Sequence, residues 1–178
     1  MNMFAPKTPL QWLRLWRLYR SAFPDAERKP FTMILSMYRQ GRTDVWYFER
    51  EGKFAGLATT INGDRLILVD YLAVAEGRRG QGLGSEIMAL LEGQYAETGF
   101  FGEIERVWEK AENYRQRRRR KEFYLSNGME ALGVNVVVFG VDMELLGYRC
   151  RVSYEEYREF YREHYGEFTQ KHITKGED

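Results

Sequence analysis

The chain has 178 residues, 44% of them hydrophobic, so it is long enough to bury a core of its own. Lys and Arg number 27 against 26 Asp and Glu, and this balance excludes a protein whose main task is to coat nucleic acid or an acidic membrane. One cysteine, Cys150, and two histidines predict neither a disulfide nor a metal site, and they favour a reducing, cytoplasmic setting. No apolar stretch has the length of a signal peptide core or a membrane span, so we expect no membrane partner.

The first half of the chain predicts two helices followed by three strands. Apolar residues at helical spacing indicate the helices, and two apolar stretches joined by a three-residue turn indicate a hairpin. Asn62-Gly63 is a strong turn signal before the third strand. The predicted ranges are 9–23 and 31–40 for the helices and 45–50, 54–61 and 65–74 for the strands.

The second half predicts a helix that starts near Leu83, a strand, a charged helix, two more strands and a last helix. Asn127-Gly128 predicts a left-handed cap for the charged helix, and Ser153 to Glu156 forms a capping box for the last one. The later ranges are 100–108, 111–126, 134–139, 141–146 and 154–165. The order α-α-β-β-β-α-β-α-β-β-α predicts one mixed α/β domain over residues 1–178.

The most informative segment, residues 74–84, is rich in glycine and joins a predicted strand to a predicted helix. Glycine lets the backbone come close to a ligand, and the first N–H groups of a helix have no acceptor within the helix. Together with the helix dipole, these groups suit a phosphate. The segment therefore predicts a phosphate-binding loop.

Two familiar phosphate loops do not fit this segment. A Walker A loop needs Gly-Lys-Ser/Thr, which is absent, and a dinucleotide fingerprint that starts at Gly82 needs a glycine where Ile87 stands. The pyrophosphate loop of the GNAT acetyltransferases, Arg/Gln-x-x-Gly-x-Gly/Ala, matches at every position. The matching residues are Arg79, Gly80, Gln81, Gly82, Leu83 and Gly84.

The chain resembles the GNAT superfamily over residues 45–146, and the predicted order of elements is similar to that fold as well. The resemblance implies a splayed central mixed sheet flanked by helices, acetyl-CoA as the co-substrate and no metal. It assigns the pantetheine arm of acetyl-CoA to Leu72, Ala73 and Val74. It assigns the pyrophosphate to the six loop residues, with Ser85 adding its hydroxyl.

A second point of resemblance lies in the charged helix, where family members often carry Tyr-x-x-x-Gly-Phe and this chain has Tyr124, Gly128 and Met129. The resemblance implies that Tyr124 is the general acid that protonates the departing thiolate of CoA. The alternative is a tyrosine that only packs against the cofactor. Family members often have an asparagine seven residues earlier, where this chain has Arg117, so either Asn113 serves instead or that contact is absent.

Transfer to an amine also needs a proton acceptor, because only a neutral amine attacks a thioester. Asp70 stands among apolar residues in its strand, where burial would raise the pKa of its carboxyl toward a useful value. Glu103 and Glu105 are predicted to share one face of the next strand and are further candidates. We single out Asp70 as the base, with a water-relayed proton path as the alternative.

The basic run at residues 115–121 has three interpretations. It forms a solvated helix face balanced by nearby glutamates, or it lends an arginine to the 3′-phosphate of CoA. The third interpretation is contact with nucleic acid, which the near-neutral net charge disfavours.

The combined prediction is an N-acetyltransferase that transfers the acetyl group of acetyl-CoA directly to a primary amine, since no cysteine or activated serine presents itself as a nucleophile. In the family, the region of residues 21–31 shapes the acceptor pocket, so Asp25 and Glu27 would hold a cationic amine; a plain surface loop is the alternative. The rival function is a non-catalytic acyl-CoA-binding or sensor domain of the same fold. The acceptor and the question of a homodimer are left open.

Overall fold

The computed structural model describes residues 1–25 and 27–177, which form a mixed α/β fold with eight strands and five helices. The predicted order of helices and strands is confirmed, with one three-residue strand added near each end of the chain. Backbone contacts group the residues into an N-terminal unit, Met1–Tyr95, and a C-terminal unit, Ala96–Asp178. A single functional domain over residues 1–178 stays a prediction.

The N-terminal unit contains four strands and three helices. Its strands follow the order β1-β2-β3-β4, and each is antiparallel to its neighbour. The elements are β1 Asn2–Phe4, α1 Pro9–Ala22, α2 Phe31–Arg39, β2 Thr43–Arg50, β3 Lys53–Asn62, β4 Ile67–Val74 and α3 Leu83–Gln94.

Helix α1 covers the apolar core of this unit. It starts in a capping box between Thr8 and Gln11, with Pro9 at the first helical position. The core side chains come from α1, α2 and three strands: Leu15, Leu18, Tyr19, Ile34, Val45, Tyr47, Leu57, Tyr71 and Ala73. Each fully buried side chain of this kind contributes about 1.5–3 kcal/mol, so α1 is held chiefly by its apolar face.

Helix α3 packs closely against the strands at Gly56 of β3. A Cβ atom at this position would stand 2.5 Å from the carbonyl oxygen of Ala73 and 2.8 Å from Cδ1 of Ile87. Real Cβ atoms do not approach backbone so closely, so only glycine fits without a shift. This contact sets how near α3 lies to the end of β4.

The pairing of β3 with β4 is interrupted at Asp70. Thr59 pairs with Tyr71, whereas Thr60 pairs with Val69, so Asp70 is the extra residue of a β-bulge. A bulge bends its strand and re-aims the side chain it carries.

The C-terminal unit contains four strands and two helices. Its strands follow the order β5-β7-β6-β8 and are antiparallel throughout. The elements are β5 Phe100–Glu105, α4 Tyr114–Ser126, β6 Glu130–Val138, β7 Val141–Tyr148, α5 Tyr154–Lys171 and β8 Ile173–Lys175.

The last helix, α5, begins with the predicted capping box between Ser153 and Glu156. It buries Tyr157, Phe160 and Tyr161. The predicted end at residue 165 falls where Gly166 adopts a non-helical conformation with a φ of 83°, after which the helix continues to Lys171.

Several boundaries differ from the prediction. The strand predicted over 100–108 ends at Glu105, and the charged helix predicted from 111 begins at Tyr114. The strand predicted from 134 begins at Glu130, because it continues through a register shift between Ala131 and Asn135.

The close approach at Gly56 predicts a stability difference between two glycines. Gly56→Ala should lower the free energy of unfolding by about 1–3 kcal/mol, because the added methyl group overlaps backbone and Ile87. Gly93→Ala is the control, since Gly93 lies within α3 and its added Cβ would meet nothing within 4 Å. It should raise the free energy of unfolding by about 0.5–1 kcal/mol. Urea denaturation of both variants decides, and equal midpoints would contradict the close approach.

Candidate functional site

The loop between β4 and α3 holds three glycines in the left-handed region of backbone space. Gly77, Gly80 and Gly82 have φ values of 76°, 76° and 75°. Residues with a side chain rarely adopt this conformation. A Cβ at any of the three would meet nothing within 4 Å, so the loop presents bare backbone on an open side.

The N-terminus of α3 follows directly. Gly82 is the N-cap and makes no side-chain capping bond. The amides of Leu83, Gly84 and Ser85 are in the first turn, where no carbonyl within the helix can accept from them. The dipole adds the equivalent of about half a positive charge at this end of the helix. Such a terminus binds phosphate groups.

Charged side chains around the loop increase this preference for an anion. Arg78 donates to main-chain carbonyls at the start of β3 and so ties the loop to that strand, while Arg79 is exposed. Glu86, the acid in the first turn of α3, would repel a phosphate, but its carboxylate accepts from the guanidinium of Arg50. The ion pair compensates the negative charge at this end of α3.

The residues predicted to bind the cofactor lie in two short stretches, at the end of β4 and from the loop to the first turn of α3. Leu72, Ala73 and Val74 are the last residues of β4 and pair with Ala58, Leu57 and Gly56. Four residues, 75–78, separate them from the six loop residues and Ser85. The structure therefore brings all ten together in the N-terminal unit.

Asp70, the predicted base, is bound by a cation. Nζ of Lys29 donates to its Oδ1 at 2.7 Å, and only 8% of the Asp70 side chain is exposed. A carboxylate buried to this degree would be costly without such a partner. The apolar sequence context of Asp70 indicated that need, but no pattern in the sequence identifies Lys29, 41 residues earlier.

Two tyrosines tie the chain between α1 and α2 to the same point of β4. The hydroxyl of Tyr71 donates to the carbonyl of Glu27 at 2.9 Å and accepts from the amide of Lys29 at 3.1 Å. Tyr19 donates to the Lys29 carbonyl at 2.9 Å. Burial, and then the charge of Asp70, raise the pKa of Tyr71, so the hydroxyl keeps its proton.

The predicted acceptor segment at residues 21–31 is only partly described, because Ala26 lies outside the described residues. Of its two acids, Asp25 forms an ion pair with Arg28. The segment is therefore anchored to β4 by hydrogen bonds and contains an internal ion pair.

Tyr124, the predicted acid, lies half-buried near the end of α4. Within the described part of the chain, its hydroxyl makes no hydrogen bond to the protein. Burial raises the pKa of Tyr124 above the ordinary value of 10.0, and the positive charge of Arg120 opposes that rise. The phenol is therefore protonated at neutral pH and able to donate.

The two glutamates of β5 have different partners. Glu103 accepts hydrogen bonds from the hydroxyls of Tyr157 and Tyr161, the latter at 2.6 Å. Glu105 forms ion pairs with Arg117 at 2.7 Å and Arg120 at 3.3 Å. Glu103 thus contacts α5, whereas Glu105 contacts α4.

The basic run divides by helix face. Arg117, Arg120 and Lys121 turn toward carboxylates of the strands, and Lys121 pairs with Glu144 at 2.6 Å. Arg118 is exposed and pairs with a glutamate one turn later in α4. A solvated face therefore describes only part of the run.

The side chain of Asn113, the alternative to the family asparagine, is engaged at both ends. Its amide nitrogen donates to Glu105 at 3.3 Å, and its oxygen accepts from Nε of Arg117 at 2.7 Å. The asparagine therefore acts within the contact between α4 and β5.

The cysteine and both histidines are engaged with main-chain groups. Sγ of Cys150 donates to the Phe100 carbonyl at 3.0 Å, and burial raises the pKa of its thiol, so the thiolate is disfavoured. Nδ1 of each histidine lies 2.8 Å from the carbonyl oxygen one turn earlier.

Among the described residues, no three His, Cys, Asp or Glu side chains cluster to hold a metal. In the same part of the chain, no helix is long and apolar enough to cross a membrane.

The segment that contains this loop matches a known protein family. A model of the acetyltransferase (GNAT) family matches residues 12–128. No protein with a curated description matches the chain.

Solved structures show the same fold at low sequence identity. A protein from Bacteroides thetaiotaomicron described as a GNAT-family acetyltransferase has a TM-score of 0.78 and 18% identity, over 93% of this chain and 99% of that one. An aminoglycoside 6'-N-acetyltransferase complexed with coenzyme A has a TM-score of 0.64 and 14% identity, over 83% and 96%. A spermidine N-acetyltransferase chimera of Vibrio cholerae has a TM-score of 0.61 and 15% identity, over 83% and 96%.

The ion pair between Lys29 and Asp70 predicts strong coupling in a double-mutant cycle. Lys29→Met and Asp70→Asn should each lower the free energy of unfolding, by about 3–5 kcal/mol if the remaining charge stays buried. The double variant should lose less than the sum of the two, because it leaves neither charge unpaired. Urea denaturation of the four proteins measures the coupling, and additive losses would show that the pair does not act as a unit.

Proposed function

Because this chain belongs to the GNAT family of acetyltransferases, we propose that it transfers an acetyl group from acetyl-CoA directly to a primary amine. The proposal rests on one observation above the others. A run of left-handed glycines leads from β4 into an N-terminus of α3 that no side chain caps. A diphosphate would accept hydrogen bonds from the amides at this point and gain from the helix dipole.

The residues present fit the proposed co-substrate. The open side of Gly80 and Gly82 admits a ligand against the backbone, and the pairing of Glu86 with Arg50 compensates the nearest acid of α3. The end of β4, from Leu72 to Val74, would bind the pantetheine arm, as the family pattern implies. Arg115, Arg118 and Arg119 are exposed, so any of them is a candidate for the 3′-phosphate.

Tyr124 supplies the acid in this proposal. The amine nitrogen attacks the thioester carbonyl carbon, a C–N bond forms, and the C–S bond breaks. Tyr124 donates its proton to the departing sulfur and later recovers one from solvent. Its protonated phenol and its hydroxyl, which donates to no described protein group, support this role.

The proton lost by the amine goes to Asp70 or to a water chain. The bulge at Asp70 re-aims its side chain, which supports a role at this point of β4. The ammonium of Lys29 already donates to Oδ1 of Asp70 at 2.7 Å. Asp70 therefore acts as the base only when Lys29 moves away or shares the proton transfer, and the water path needs neither change.

The acceptor is best sought among amines of different classes. Two similar structures carry names that state aminoglycoside and spermidine acetylation, which makes these amines natural members of a test panel. Peptide N-termini and free amino acids complete the panel. The single cysteine favours a reducing cytoplasmic setting for the reaction.

The first functional prediction concerns the loop. Gly82→Val should lower the affinity for CoA at least about tenfold, because a β-branched residue disfavours the φ of 75° that aims the first amides of α3. Gly41→Val is the matched control, since Gly41 has a φ of 71°, an equally open side and a position outside the loop. Isothermal titration with CoA measures both. Equal affinities in the two variants would exclude this loop as the diphosphate site.

The second functional prediction concerns Tyr124. Tyr124→Phe keeps the ring and removes the hydroxyl, so the turnover number should fall about 10²-fold or more, as for a lost general acid. The KM for acetyl-CoA should change little, because the lost contact matters mainly in the transition state. The measurement is CoA release with the fastest amine of the panel.

Two outcomes would change the assignment. Near-normal turnover in Tyr124→Phe would leave Tyr124 a packing residue. Absence of CoA release with every amine, together with tight CoA binding, would favour the non-catalytic acyl-CoA-binding function.

A further inference from the structure

Helix α4 is attached to its unit without a buried residue. None of its 13 residues, all of which the structure describes, is buried, and eight of them are Arg, Lys, Glu or Gln in an unbroken run. Apolar burial, which seats α1 and α3, therefore contributes little here. Another kind of interaction must fix the rotation and position of this helix.

Ion pairs and hydrogen bonds to strand carboxylates take that place. The N-cap Asn113 and the helix residues Arg117, Arg120 and Lys121 recur at helical spacing, so they form one stripe along this side of α4. The first three contact Glu105 of β5, a side chain that is only 14% exposed. Arg117 adds a hydrogen bond to the main-chain carbonyl of Arg106 at 3.0 Å.

Glu105 is the centre of this arrangement. Oε1 accepts from Arg117, and Oε2 accepts from Arg120 and from Asn113, so both oxygens are used by groups from successive turns of α4. Lys121 and Glu144 form a second, separate anchor on β7. Glu105 thus restrains both the position of α4 along its axis and its rotation about that axis, whereas the second anchor is a single contact.

The carboxylate of Glu105 is linked to Tyr124 through Arg120. Arg120 precedes Tyr124 by four residues, so the two side chains lie on one face of α4. The charge of Arg120 acts on the phenol, and Glu105 holds that charge in place. A shift or rotation of α4 would move the hydroxyl of Tyr124 and the guanidinium together.

We propose that Glu105 is a positioning residue, which seats α4 by binding Asn113, Arg117 and Arg120 and thereby sets the place of Tyr124 for acyl transfer. The part that concerns catalysis rests on the proposed function, in which Tyr124 is the acid. The seating of α4 by a carboxylate does not depend on it.

The test compares Glu105→Gln with Glu122→Gln. Both remove one negative charge from a partner of α4 arginines, but Glu122 pairs with Arg118 on the exposed side of the helix, where the two side chains are 61% and 57% exposed. Hydrogen exchange read by mass spectrometry over residues 114–126 should be roughly tenfold faster in Glu105→Gln and unchanged in Glu122→Gln. Circular dichroism confirms that each variant is folded.

Activity supplies the second measurement. With acetyl-CoA and the fastest amine of the panel, Glu105→Gln should lose about tenfold in turnover with the KM for acetyl-CoA nearly unchanged, because the misplaced group acts in the chemical step. Glu105→Asp keeps the charge and should recover part of both the turnover and the exchange protection. If Glu105→Gln does not fold, Glu105→Asp serves instead, with faster exchange confined to α4 as the expected result.

The proposal is overturned if hydrogen exchange over α4 is unchanged in Glu105→Gln, or if Glu122→Gln has an equal effect on it. It is also overturned if exchange over α4 is faster in Glu105→Gln but turnover is normal, while Tyr124→Phe turns over slowly. Normal turnover in Tyr124→Phe combined with faster exchange in Glu105→Gln would reject the acid assignment and uphold the seating of α4. If no amine supports CoA release, the exchange comparison alone decides whether Glu105 seats the helix.

Discussion

The contact between α3 and the strands at Gly56 determines the form of the loop that precedes the helix. Because Ile87 packs to within 2.8 Å of where a Gly56 Cβ would be, α3 lies tightly against β3 and β4. The chain leaves β4 at Val74 and must enter that helix at Leu83, so it turns sharply. Sharp turns of this kind use left-handed residues, which glycine supplies at the lowest cost. The same conformation leaves backbone amides bare, so close packing and the proposed anion binding share one geometric cause.

The residues of this loop were predictable because their chemistry is that of the backbone and is local in sequence. Glycine spacing, the strand before it and the amphipathic helix after it all lie within 72–95. The environment of Asp70 was not predictable in the same way. Its apolar neighbours showed that the carboxylate needed a partner, but Lys29 lies 41 residues away, and the bulge leaves no trace in the alternation of β4. Long-range pairs depend on tertiary packing, which no periodicity encodes.

Helix α4 shows a different limit of sequence analysis. The inward face of an amphipathic helix is recognised by its apolar stripe. In α4 the candidate stripes are nearly all polar, so the pattern cannot show which arginines turn inward. The structure shows that the stripe through Arg117 and Arg120 does so, because Glu105 and Glu144 provide carboxylates with little solvent exposure. The prediction of a solvated face was reasonable for Arg118 and incomplete for these residues.

Backbone and side chains therefore have separate parts in this chain. Binding through amides at a helix N-terminus requires glycines and a chain path, and it places few demands on other side chains. Such a site tolerates wide sequence divergence, which is consistent with similar folds at 14% to 18% identity. The side chains proposed to move protons lie near specific charges instead: Asp70 pairs with Lys29, and Tyr124 lies one turn from Arg120, which pairs with Glu105. The ion pairs therefore say more than the glycine loop about what distinguishes this chain, because only the ion pairs depend on which side chains are present.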